Sequence, residues 1–124
     1  MTCRVRSGWE TDEAQDGSLA LVRGEDYLTL VRTPVSDAGE TLTRLRGLFA
    51  NPTRVEPPLQ VKLGGRPFVG QFIEGMWNGA DRRVFLAAGE SGWTLVVQGN
   101  RAQWDAVASD LNLTLRTLTF GEGE

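Results

Sequence analysis

Between Leu59 and Gln98 the chain is cut into short alternating runs by glycine-rich turns, and this punctuation limits the possible folds more than any other feature. Leu59, Val61 and Leu63 alternate with polar residues and stop at Gly64-Gly65. Phe68, Gly70 and Phe72 then share one face of a second run, opposite Val69, Gln71 and Ile73. Asn78-Gly79 is a strong two-residue hairpin signal, because both residue types tolerate positive φ. Val84 to Ala88 returns, Gly89 to Gly92 turns again, and Trp93 to Gln98 follows. Period two broken by turns of this kind specifies an antiparallel meander. The last run is nearly all apolar (Trp93, Leu95, Val96, Val97), as in a central strand covered on both faces.

Two more strands precede the meander. Leu19 and Leu21 share a face in the run 19–23, and Leu28 and Leu30 do so in Tyr27 to Arg32. A three-residue loop, Gly24-Glu25-Asp26, joins them. Pro34 ends the second strand. Asp37 then caps a helix, with Glu40 completing a capping box, and Leu42, Leu45, Leu48 and Phe49 form its apolar stripe. Asn51-Pro52 closes that helix. After the meander, Asn100 caps a second helix, with Gln103 three residues on. Trp104, Val107, Ala108 and Leu111 are its stripe, and it extends to about Leu115. A short strand over Thr117 to Phe120 ends the fold, and Gly121 to Glu124 is expected to fray.

The expectation is therefore one α+β domain over 1–124, in the order β-β-α-β-β-β-β-α-β. An antiparallel sheet of about six to seven strands is flanked by two main helices, an α/β/α sandwich. The composition agrees, with 40% hydrophobic and 23% charged residues. At 124 residues the chain buries roughly two-thirds of its unfolded surface without a disulfide or metal. Cys3 is its one cysteine, which fits a reducing compartment. Met1 to Trp9 holds no apolar segment of the signal-peptide kind, and no run approaches the about 18 apolar residues of a membrane span. The reading is cytoplasmic, without membrane partners. The net charge of −3 argues against a nucleic-acid partner, since neutralising phosphates takes a basic surface.

Catalytic chemistry is hard to assemble from these residues. The chain has no histidine, which removes Ser-His and Cys-His pairs, His-ligated zinc and the usual neutral-pH general base. Neither phosphate-loop nor dinucleotide-binding glycine spacing occurs. An enzyme would have to work through carboxylates, arginine or Tyr27, so neither catalytic residues nor a cofactor are expected. Glu10, Asp12, Glu13 and Asp16 could suggest a Ca²⁺ loop, but they lack the required spacing and read as a solvated loop. Glu74 reads as a solvent-facing strand residue or a partner for an arginine such as Arg66.

Four tryptophans are many for this length. Trp93 and Trp104 read as core, and Trp9 as packing the N-terminal segment on the body. Trp77 abuts the Asn78-Gly79 turn, with Arg82 and Arg83 just across it. Such a trio is either a contact patch of the kind that dominates binding hot spots or a cation–π pair that stabilises the hairpin. A second candidate site is an apolar pocket between sheet and helix, lined by Phe68, Phe72 and Trp93.

The whole pattern resembles the Mog/PsbP-like superfamily. The residues that carry the resemblance are Gly8-Trp9, the helix Asp37 to Phe49, the segment Val61 to Pro67, Glu74-Gly75 with Asn78-Gly79, and Gly92 to Val97. The helix around Trp104 and the closing Leu115, Leu118 and Phe120 complete it. The resemblance covers nearly the whole chain and rests on fold-shaping residues, so no functional position carries over. It implies an α/β/α sandwich that binds rather than catalyses. Its members include a Ran-binding nuclear-import factor, photosystem II extrinsic proteins, an envelope lipoprotein of the DcrB type and chaperones for type VI secretion effectors. The leading expectation is a non-enzymatic protein-interaction domain, adaptor or chaperone-like, with a protein partner or a second copy of the chain. The alternative is a small-ligand-binding domain using the apolar pocket.

Overall fold

Two helices pack on opposite faces of one sheet in the computed structural model, which describes residues 2–32, 38–49, 51–77, 79–89 and 92–120. The strands are β1 (Glu10–Glu13), β2 (Leu19–Arg23) and β3 (Asp26–Arg32), then, after helix α1 (Ala38–Arg46), β4 (Pro52–Val55) and β5 (Leu59–Leu63). They continue as β6 (Arg66–Trp77), β7 (Ala80–Gly89) and β8 (Trp93–Asn100). A 3₁₀ turn (Arg101–Gln103) leads into α2 (Trp104–Thr117). All strand pairs are antiparallel, in the order β1-β2-β3-β8-β7-β6-β4. β5 and β4 share one edge of β6, β5 against Arg66 to Gly70 and β4 against Ile73 to Gly75.

The α+β class, the meander and the central place of Trp93 to Gln98 stand as the sequence indicates, with eight strands among the described residues. β8 lies between β3 and β7, and β7 between β8 and β6. Period-two alternation then divides the buried residues between two layers. Phe85, Ala87, Leu95 and Val97 point to the α2 side, where they meet Leu21, Leu28, Val107 and Leu111. Val84, Leu86 and Ala88 point to the α1 side and meet Ala38, Leu42, Ile73 and Trp77. Each Val, Leu, Ile or Phe side chain among them, when fully buried, contributes about 1.5–3 kcal/mol.

Several boundaries differ from the sequence reading. Residues 10–13 form a strand rather than a loop, because the outer edge of β2 is open and β1 fills it with every residue exposed. The β2–β3 loop has two residues, since Arg23 pairs Asp26 and Gly24 takes φ +61°. α1 stops at Arg46, before Asn51-Pro52. Leu48 is consequently exposed, at 63%, and the buried Thr41 takes part in the helix's inner face instead. Residues 52–55 are a strand, with Pro52 first, where its missing N–H costs no ladder bond. α2 runs to Thr117, and the expected closing strand reduces to one bridge, Thr2 to Thr119. Asn100 does cap, but it accepts from the Ala102 N–H and so starts the 3₁₀ turn, while Gln103 makes no side-chain cap. Pro34, Asp37, Asn78, Glu90, Ser91 and the 121–124 tail lie outside the described residues.

The N-terminal segment is fastened to α2. Trp9 is buried, and its Nε1–H donates to Asp110 Oδ2 at 3.3 Å. Arg23 Nη1 approaches the same oxygen at 2.6 Å, with its guanidinium 4.4 Å from the centre of the Trp9 ring. Thr114 Oγ1 donates to the Arg4 carbonyl, and the Arg4 N–H to Thr117 Oγ1. Burial, and then the neighbouring Glu13, push the Cys3 thiol up, so it stays protonated at neutral pH.

The Trp9 and Arg23 hydrogen bonds hold the Asp110 carboxyl below the usual aspartate range. A depressed folded value means that this contribution is present above the unfolded pKa of about 3.9 and is lost as pH falls below it. Asp110→Asn should therefore lower stability at pH 7 by less than about 1 kcal/mol, a surface-pair magnitude. Urea melts at pH 7 and pH 3 check this: the difference from wild type should shrink at the lower pH.

Candidate functional site

An apolar cleft with charged groups at its mouth lies between α2 and the β5–β8 part of the sheet. Strand alternation supplies one wall: Leu59, Val61 and Leu63 from β5, Phe72 from β6, Phe85 from β7 and Val97 from β8. Helical spacing supplies the other, with Trp104, Ala108, Leu111 and Leu115 at i, i+4, i+7 and i+11. The cleft holds about 320 Å³, at the small end of ligand pockets. Its polar lining is Lys62, Asn112 and Arg116, all exposed, and it has no carboxylate. Arg116 forms no ion pair with any described residue.

Three aromatic rings set the floor and one end. Phe72 and Phe85 lie 4.6 Å apart between centroids, tilted by 44°. Trp104 meets Phe72 edge-on at 6.1 Å and 89°. Such geometries are the favoured ones for aromatic pairs. Gly70 makes the floor possible, since a Cβ there would stand 2.5 Å from Phe85 Cζ. Gly99 does the same for the helix, since a Cβ there would press on Val107 and Trp104 at 3.1–3.2 Å.

A charged cluster closes the Phe72 end. The Arg83 guanidinium carbon lies 4.4 Å from the Phe72 ring centre and 5.6 Å from that of Trp104. Its Nη1 donates to Glu56 Oε2 at 2.8 Å and stands 3.6 Å from Glu74 Oε2. Arg54 lies 3.9 Å from both carboxylates. Two acids held between two arginines are a fixed, charge-balanced plug. Glu74 is thus paired, with Arg83 and Arg54 in place of Arg66.

The sequence-derived candidates are distributed differently from expectation. Trp77 is buried at 6%, tilted against Phe49 at 4.8 Å, with Nε1–H donating to Tyr27 Oη at 3.0 Å. Arg82 is buried at 5% and donates to the carbonyls of Trp77 and Glu25. Arg83, next in the strand, points to the opposite face. The trio therefore makes no exposed contact patch: α1 covers Trp77, and strand alternation separates the arginines. Of the pocket trio, Phe72 lines the cleft. Phe68 and Trp93 are fully covered core, Phe68 packed on Gly89 and Trp93 on Phe120. Residues missed were Phe85, Trp104, Ala108 and Leu115. Their signal was present, since 104, 108, 111 and 115 share one edge of the α2 stripe.

The four acids at 10–16 do not converge: Glu10 and Asp12 share one face of β1, and Glu13 lies on the other. No described helix is long and apolar enough to cross a membrane.

The chain is similar in fold to LpqN of Mycobacterium tuberculosis. LpqN, known from a crystal structure, is involved in cell envelope biogenesis. The likeness has a TM-score of 0.58 at 17% identity, over 95% of this chain and 81% of that one. At that identity it is a likeness of fold alone. No protein-family model and no curated protein matches the sequence.

The packing of the floor gives a direct expectation. Gly70→Ala should force the Phe85 ring toward the cleft and cost about 1–3 kcal/mol, as overpacking does. A denaturation midpoint lowered accordingly, read by circular dichroism, checks it.

Proposed function

We propose that this chain is a non-catalytic binding domain that takes a small, mainly apolar molecule in the cleft between α2 and the sheet. The observation that carries the reading is the cleft's composition: about 320 Å³ of aromatic and aliphatic lining with only Lys62, Asn112 and Arg116 as polar groups. Ligand sites have this make-up, an apolar body with few orienting polar groups. With two cations and no carboxylate at the mouth, the favoured ligand has an apolar body and an anionic group. In the fold itself, the two-layered helix arrangement around an antiparallel sheet supports the Mog/PsbP-like reading, whose members bind rather than catalyse. The adaptor reading draws no support from Trp77, Arg82 and Arg83, since Trp77 and Arg82 are buried and Arg83 lies against Phe72 on the opposite face.

A fluorescence titration with anilinonaphthalene sulfonate tests the proposal. Saturable binding at one site is expected, tighter than that of the uncharged probe phenylnaphthylamine. Ala108→Trp should fill the cleft from the helix side and weaken binding at least about tenfold, or 1.4 kcal/mol, with the fold intact by circular dichroism. Absence of saturable binding, or equal binding by Ala108→Trp, would show that the cleft is not a ligand site.

A further inference from the structure

α1 covers only part of its face of the sheet. At nine residues it is about 14 Å long, and it rests on β6 and β7. Beyond β7 the same face continues over β8, β3, β2 and β1, about 14 Å across the last three strand spacings. On the α2 face of these strands Leu19, Leu21, Leu28 and Leu30 are buried to 4% or less. On the α1 face the alternate residues are not: Val22 is 40% exposed and Val31 37%. Leu48, just after α1, is 63% exposed. Val22, Tyr27, Thr29, Leu45, Leu48 and Val96 line an open groove of about 410 Å³ here. A contiguous apolar area between two charged borders is the form an association surface takes.

The borders carry opposite charge. Register places Glu10 beside Val22 and Asp12 beside Ala20, so both carboxylates flank the groove on its outer side. On the inner side Arg44, in the last turn of α1 and four residues before Leu48, is exposed. Glu10, Asp12 and Arg44 form no ion pair with any described residue. A patch ordered acid, apolar, base is complementary to itself under a two-fold rotation about an axis parallel to the strands. That rotation sets Arg44 of each copy opposite Glu10 and Asp12 of the other, and lays Leu48 in the other copy's groove.

We propose that a second copy of this chain covers the α1 face, forming a symmetric dimer through Leu48, Val22 and the Arg44–Glu10/Asp12 pairs. This surface lies on the opposite side of the sheet from the ligand cleft, so the two proposals stand or fall separately.

Sedimentation equilibrium of the full chain tests it. A dimer is expected at tens of micromolar, weakened by added salt. Leu48→Glu, at a position too exposed to matter for folding, should raise the dissociation constant at least tenfold. Arg44→Glu alone should also weaken the dimer, and combining it with Glu10→Arg and Asp12→Arg should restore it. Circular dichroism confirms that each variant folds. A monomer at several hundred micromolar would overturn the proposal. So would a dimer indifferent to Leu48→Glu, or one that the charge exchange fails to restore.

Discussion

The rest of the molecule depends on the burial of β7 and β8 on both faces. Val84, Phe85, Leu86, Ala87 and Ala88 are consecutive and all buried, and Trp93, Thr94, Leu95 and Val97 are their counterparts in the neighbouring strand. A strand can bury consecutive side chains only when both of its faces are covered. Placing one helix on each side follows from that, and α1 and α2 contribute to separate clusters of buried residues. On the α2 face, small residues at Ala87 and Gly89 let the larger Phe68, Phe85 and Trp93 pack beside them.

Adjacent residues in β7 show how the two layers are kept apart. Arg82 serves the α1 layer, where its guanidinium ties the Trp77 and Glu25 backbone. Arg83 serves the α2 layer, where it lies against Phe72 and Trp104 between Glu56 and Glu74. Planar guanidinium groups suit both tasks, since they stack on rings and donate in plane at once. The cleft is then what remains between a helix held close at its start by Gly99 and Trp104 and a sheet whose floor is the Phe72–Phe85 pair.

Much of this was legible in the residues. The meander, the two strands before α1, both helices and the central place of Trp93 to Gln98 follow from period and turn chemistry, which are local. The errors are those of context. Residues 10–13 are acidic and look like a loop, yet they pair because β2 offers a free edge. Pro52 looks like a terminator, yet it opens a strand on an edge of β6. Leu48 fits a helical stripe, yet α1 ends two residues before it. For the site, helical spacing marked Trp104, Ala108 and Leu111 as inward-facing but could not distinguish a filled interior from an open one. That distinction depends on how closely α2 approaches β5, a tertiary quantity. Trp77 and Arg82 were misread for the same reason, since nothing local shows that Phe49 and α1 lie over the end of β6.

The central claim is that the interior between α2 and the sheet is open to a ligand while the interior under α1 is closed. Amide chemical-shift mapping of the isotope-labelled chain, with anilinonaphthalene sulfonate added in steps, tests it most directly. The account predicts saturating shifts in residues 104–116, in β5 and around Phe72 and Phe85, with Leu42, Ile73 and Leu86 unmoved. Shifts centred on α1 and its side of β6 and β7, or shifts spread over both faces without saturation, would contradict it.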